Sequence, residues 1–152
     1  MGSHLRITFT FADAVYPTGT SVEKVAQILE HRYNVVQTFK TAESAFIKQT
    51  VQEAYIKKMR AAVKGKSDRF DMAQYIEARL DQRFRRFLSS GAIESMGIPG
   101  VPTEASIERV GGMLTWAEAR RKKKKINPLA SPSFIDTGLY LASFRTKVHD
   151  NS

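Results

Sequence analysis

Two stretches of strict alternation, one near each end of the chain, constrain the fold most. Residues 5–11 carry apolar side chains at odd positions and polar ones between them, and residues 144–149 repeat the pattern with Phe144, Thr146 and Val148 on one face. A period of two is typical of a strand with one buried and one wet face. We therefore expect the two strands to pair in one small sheet.

Two helical patterns follow the first strand. A capping box of Thr20 and Glu23 opens the first, which is expected to run to about Phe39. The second is expected over residues 41–63, and the boundary is so short that one bent helix is the alternative. Gly65, between two lysines, is a suitable stop because glycine tolerates the left-handed conformation.

A third helix is predicted from a cap at Ser67 or Asp68 to a stop at Gly91. Together these patterns predict one α+β domain over residues 1–152. It is mainly helical, with three long helices and a small sheet formed by the N- and C-terminal strands.

The third helix has two contrasting faces. Its apolar face carries Phe70, Ala73, Ile76, Leu80, Phe84, Phe87 and Leu88. Its opposite face carries Arg79, Gln82, Arg83, Arg85 and Arg86. Because Asp71, Glu77 and Asp81 lie among the arginines, a solvated face is favoured over DNA contact. A helix that binds a partner is the alternative.

Glycine and proline dominate residues 93–112, and within this segment only residues 103–110 have a pattern that allows a short helix. Loops of this length without their own structure are uncommon in compact domains and often have a function. We therefore predict an extended arm at residues 93–112 that reaches a neighbouring subunit. A surface loop is the alternative.

The densest charge follows a second capping box, Thr115 with Glu118. The run consists of Arg120, Arg121, Lys122, Lys123, Lys124 and Lys125. Six adjacent cations repel one another and cannot be buried, so the run is expected to be exposed. It suits nucleic-acid phosphates or an acidic partner surface. A nuclear-import-like string and the solvated end of a helix are alternatives.

Composition argues against an enzyme. The chain has no cysteine, its three histidines are scattered, and it contains no nucleotide-binding loop or nucleophile elbow. We expect no catalytic residues, no cofactor and no metal. No apolar run is long enough to span a bilayer, so no membrane contact is expected. With 24 basic and 15 acidic residues, the net charge of +9 favours an acidic partner.

The segment before the second strand combines several local signals. Asp136 or Thr137 can cap a short helix whose first turn holds Gly138, and the strand follows at Phe144. Asp-Thr-Gly is also the signature of aspartic proteases, but a single copy would require a homodimer, and the strand-rich surroundings are missing. The simplest local interpretation is a capped turn.

The same segment resembles the signature of tailed-bacteriophage neck proteins, the head-tail joining or tail-completion family. The shared pattern is an apolar residue, Asp136, Thr137 and Gly138, then Ser143 after four further residues. Tyr140 stands where the family usually has leucine. The resemblance implies a structural virion protein of the neck, or collar, that joins the capsid portal to the tail and is assembled in the host cytoplasm.

The resemblance also implies partners. These are identical copies in a ring of six or twelve, the portal and tail proteins, and DNA through non-specific contact. The candidate interface residues are Pro99, Val101, Pro102, Phe134, Ile135, Asp136, Thr137, Gly138, Tyr140 and Phe144. The competing functions are a small basic nucleic-acid-binding module and a host-directed regulatory protein that binds an acidic partner.

Overall fold

The computed structural model describes residues 4–96 and 139–151, which form a two-stranded sheet packed against helices. Strand β1 (His4–Phe11) pairs antiparallel with β2 (Phe144–Asn151), with Phe11 opposite Phe144. The predicted pairing of the two ends is confirmed, and so is the mainly helical α+β class.

The helices fall close to the predicted segments. They are α1 (Val22–Tyr33), α2 (Val35–Ala42), α3 (Ser44–Val63), α4 (Met72–Ser89) and α5 (Leu139–Ser143), with short 3-10 helices at Ser67–Arg69 and Ile93–Met96. None of the described helices is long and apolar enough to cross a bilayer.

The first predicted helix is two helices. Asn34 interrupts it in the left-handed conformation, with φ of 49°, so α1 ends at Tyr33. The predicted Thr20 cap was wrong by one residue, because the Ser21 hydroxyl accepts the Lys24 N–H at 3.2 Å. Between α2 and α3 only Glu43 intervenes, and helical hydrogen bonds continue on both sides of it. This junction is close to the bent-helix alternative.

Helix α4 begins later than predicted. Ser67–Arg69 form a separate 3-10 turn, and the carboxylate of Asp71 caps α4 by accepting the Gln74 N–H at 3.0 Å. The cap prediction at Ser67 or Asp68 was therefore wrong. The stop at Gly91 is confirmed: α4 ends at Ser89, and Gly91 follows in the left-handed conformation with its N–H bonded to the Leu88 carbonyl.

The core lies between α4 and the inner face of the sheet. Its centre is the stacked pair Phe84 and Phe144, with ring centroids 3.8 Å apart, and Phe39 of α2 meets both rings edge-on. Six side chains of α4 are buried, and they are Met72, Ile76, Leu80, Phe84, Phe87 and Leu88. The predicted apolar stripe of this helix is thus its core face.

The predicted arm starts inside the fold. Ile93–Met96 form a 3-10 helix, and the Ile93 side chain is fully buried in the core. The expectation that only residues 103–110 of this segment could be helical was therefore wrong. Residues 97–112 lie outside the described part of the chain.

Candidate functional site

Most of the predicted site residues lie outside the described residues. These are Pro99, Val101, Pro102, Phe134, Ile135, Asp136, Thr137 and Gly138 of the predicted interface, and the whole basic run from Arg120 to Lys125. Tyr140 and Phe144 are described. Both are buried in the core of their own chain, 3% and 0% exposed. Any interface role for them would have to use backbone atoms, and the interface stays a prediction.

Tyr140 anchors α5 to the core. Its ring stacks on Phe11, with centroids 4.8 Å apart, and meets Phe84 edge-on. Its hydroxyl is buried and has no hydrogen-bond partner among the described residues. Burial raises the pKa of this hydroxyl far above its ordinary value, since the charged form would be cut off from water.

Two arginines of α4, Arg79 and Arg83, form ion pairs with carboxylates at the start of α3 and within it, which the sequence did not predict. Arg79 lies 2.9 Å from the Glu53 carboxylate, and the Tyr75 hydroxyl also donates to that carboxylate at 3.1 Å. Hydrogen bonds from Gln49 and Tyr75, with the charge of Arg79, hold the pKa of Glu53 below its ordinary value. Glu53 is therefore an ionised acceptor at neutral pH.

One turn further along α4, Arg83 repeats the arrangement. It donates to Glu43 at 2.7 Å, and its guanidinium lies 4.6 Å from the centre of the Phe46 ring. A depression of about 390 Å³ lies here, lined by Phe46, Arg79, Gln82, Arg83 and Arg86. The arginine face of α4, which was expected to be solvated, thus partly contacts α3. Because Glu43 and Glu53 neutralise two of its three arginines, the depression is a weak candidate for anion binding.

The outer face of the sheet is a stronger candidate. Arg6, Arg145 and Lys147 are exposed on it, and no acidic side chain of β1 or β2 shares this face over residues 4–11 and 144–150. The His149 ring lies 3.0 Å from the Thr8 hydroxyl. Arg145 donates to the carbonyls of Ala142 and Phe144, which positions its guanidinium at one end. We call this surface the basic sheet face.

The sequence predicted Arg6, Thr8, Arg145 and Lys147 to lie on the wet faces of their strands, but that prediction did not combine them or include His149. The strands are separated by more than 130 residues, and only the register places Arg6 opposite His149 and Thr8 opposite Lys147. The alternation of both strands already indicated which side chains lie on their outer faces. Summing the charges of these two faces would have predicted the basic sheet face.

The described residues contain no group of three or more histidine, aspartate or glutamate side chains that could hold a metal ion. No family model, curated protein or solved structure matches the chain.

Proposed function

We propose that this chain is a structural component of a tailed-phage neck, joining the capsid portal to the tail as a ring-forming connector or tail-completion protein. The observation that carries the proposal is the position of the signature. The second half of the signature, residues 139–144, forms α5 and the first residue of β2, and β2 pairs with β1. A domain whose first and last described strands pair in one sheet suits repetition in a ring.

Charge supports a partner for such a ring. Six copies at +9 each carry 6 × 9 = +54, and twelve carry 12 × 9 = +108, so the assembly needs an acidic neighbour, DNA or counterions to offset its self-repulsion. A channel through which DNA slides should not hold it tightly. The basic run at residues 120–125 and the basic sheet face therefore suit an acidic partner ring or the rim of the channel.

The mass of the assembled species tests this proposal. Native mass spectrometry and sedimentation of the purified chain over a range of salt concentrations should give one closed species of six or twelve copies, seen as annular particles by electron microscopy. Ring closure needs two different complementary patches, so intermediate sizes should be scarce. A chain that stays monomeric at all concentrations and salts contradicts the ring.

The second candidate is a small nucleic-acid-binding module, and the basic sheet face is the observation that favours it. Two-stranded ribbons can enter the major groove, and phosphate contacts make affinity fall steeply with salt. Titration of duplex DNA separates the two functions. Tight, saturable binding by a monomer favours the module, whereas weak binding together with self-association favours the ring component.

A further inference from the structure

The outer edges of β1 and β2 differ in whether their backbone N–H groups are hydrogen-bonded to other described residues. On the outer edge of β2, the N–H groups of Thr146 and Val148 donate to the carboxylates of Asp81 and Glu77, at 2.6 and 2.9 Å. Both acceptors project from α4. This edge is therefore closed by side chains, and a further strand could bind there only by displacing two carboxylates.

Among the described residues, the outer edge of β1 is open. The Ala12 N–H donates to the Ser143 carbonyl at 2.6 Å. This bond shows which residues of β1 direct their backbone N–H and C=O groups toward β2. Because antiparallel pairs alternate, even-numbered residues of β1 bond to β2, and the N–H and C=O groups of Leu5, Ile7, Phe9 and Phe11 point away from it. No other described residue hydrogen-bonds to the backbone of Ile7 or Phe9. Unpaired groups of this kind are a template for another strand.

A groove lies beside this open edge. Its volume is about 300 Å³, and it is lined by Ile7, Phe9, Lys40, Ser44, Ile47 and Lys48. The floor is apolar, while both lysines are exposed. A strand added to β1 would place every second side chain toward this groove and the others toward the basic sheet face.

We propose that the open edge of β1 binds an extended acidic segment of a partner protein as a third strand. Backbone hydrogen bonds to β1 supply the attachment, and alternate side chains supply the choice of partner. Lys40 and Lys48 attract carboxylates on the groove side, and Arg6 attracts them on the outer side. A second copy of β1 is disfavoured as the third strand, since residues 4–11 contain no carboxylate to meet these cations. The inference rests on the backbone and these charges, and it holds whether or not the chain is a neck component.

A synthetic peptide tests the strand addition. The probe is a fluorescent nine-residue peptide of alternating glutamate and valine, blocked at both ends, with binding followed by fluorescence anisotropy at low salt. We expect saturable binding, together with slowed hydrogen exchange at the Ile7 and Phe9 amides. Absence of binding, or binding without a change at these two amides, overturns the proposal.

Backbone methylation of the probe distinguishes a strand from a loosely held anion. In a third strand, the amides of alternate residues face β1, so methylating all valine nitrogens and methylating all glutamate nitrogens must have opposite effects. One of the two methylated peptides should bind within about threefold of the parent and the other should not bind. Equal affinities of the two, retained or lost, contradict strand addition.

Charge variants test the acidic character of the partner. Lys40→Glu with Lys48→Glu should weaken probe binding at least tenfold. Lys64→Glu with Lys66→Glu makes the same change of charge on exposed residues outside the groove and should have less than a threefold effect. If both double variants lost probe affinity equally, net charge alone would explain the effect, and a specific role of Lys40 and Lys48 would be contradicted. A peptide of the β1 sequence that binds more tightly than the acidic probe would make a second copy the occupant and overturn the acidic partner.

Discussion

The carboxylate of Asp81 accepts a hydrogen bond from the backbone N–H of Thr146 at 2.6 Å, and Glu77, one turn earlier on α4, accepts from Val148. Four residues of helix rise about 6 Å and two residues of strand advance about 6.8 Å, so the two spacings nearly match. Helix α4 therefore packs on β2 and also supplies the carboxylates that accept hydrogen bonds from the outer-edge N–H groups of this strand. The helix determines where the strand lies and closes that edge.

Replacing Asp81 should destabilise the fold. Asp81→Ala leaves the Thr146 N–H without its acceptor, and we expect a loss of about 1–3 kcal/mol in the free energy of unfolding, measured by urea denaturation. Asp81→Asn keeps an acceptor oxygen and should lose less. Asp13→Ala, at an exposed loop position, is the matched control and should stay within about 0.5 kcal/mol of the parent. A loss for Asp81→Ala no larger than the control's would show that the bond contributes nothing.

The stacked rings of Phe84 and Phe144 join β2 to the buried face of α4, which carries six buried side chains. Phe144→Ala should cost about 3–5 kcal/mol, because it removes a fully buried ring and leaves a cavity. Phe144→Leu should cost less. Val63→Ala removes an apolar side chain that is 89% exposed and should change stability by less than about 0.5 kcal/mol.

Local periodicity was enough to predict the sheet and most of the helical content. Alternation at both ends placed β1 and β2, and the apolar spacing of α4 identified its buried face, because both signals come from how a side chain meets the core. The same reasoning misplaced the caps. Ser21 and Asp71 cap their helices in preference to nearby residues that also have capping side chains.

Contacts between distant residues could not be predicted in this way. Nothing local distinguishes Glu77 and Asp81, which cap a strand about 70 residues away, from acidic residues on a solvated face. The same holds for Arg79 and Arg83, whose partners lie on α3. Such roles depend on which helix packs beside which strand, and a charge pattern carries no information about that.

Asn34 offers a test of the break between α1 and α2. It has φ of 49° and ψ of 45°, a region that asparagine and glycine tolerate better than other residues. Asn34→Ala should therefore cost about 1–2 kcal/mol in thermal or urea unfolding. Asn34→Gly should stay within about 0.5 kcal/mol, because glycine has no Cβ to strain. Equal stability of the two variants would show that tolerance of the left-handed conformation is not the reason why Asn34 suits this position.

The basic run tests the role of charge in assembly. Replacing Lys122, Lys123, Lys124 and Lys125 by glutamine removes four charges and should weaken assembly with an acidic partner, or DNA retention, most strongly at low salt, where electrostatic attraction is least screened. The measurement is the yield and mass of the assembled species at low and high salt. The matched control replaces four lysines of the described surface, Lys24, Lys57, Lys64 and Lys66. Unchanged assembly in the first variant removes the run from the proposed interface.

The buried hydroxyl of Tyr140 should make the free energy of unfolding fall at alkaline pH. Its buried hydroxyl has no partner among the described residues, so Tyr140→Phe should leave stability at pH 7 unchanged or raise it by up to about 1 kcal/mol. In the native state the pKa of this group is raised, so above about pH 10 the unfolded chain loses the proton while the folded chain keeps it. The unfolded state then binds fewer protons, and stability falls by about 1.4 kcal/mol per pH unit.

Urea unfolding between pH 8 and 11 measures this decline. Tyr140→Phe removes the titrating group, so the slope above pH 10 should become shallower by the contribution of one proton. Tyr55→Phe removes a hydroxyl from a ring that is 38% exposed and is the control for losing a tyrosine hydroxyl outside the core. If Tyr140→Phe destabilised the chain at pH 7 by more than about 1 kcal/mol, the hydroxyl would have a hydrogen-bond partner in solution, and its burial alone would not explain the alkaline decline.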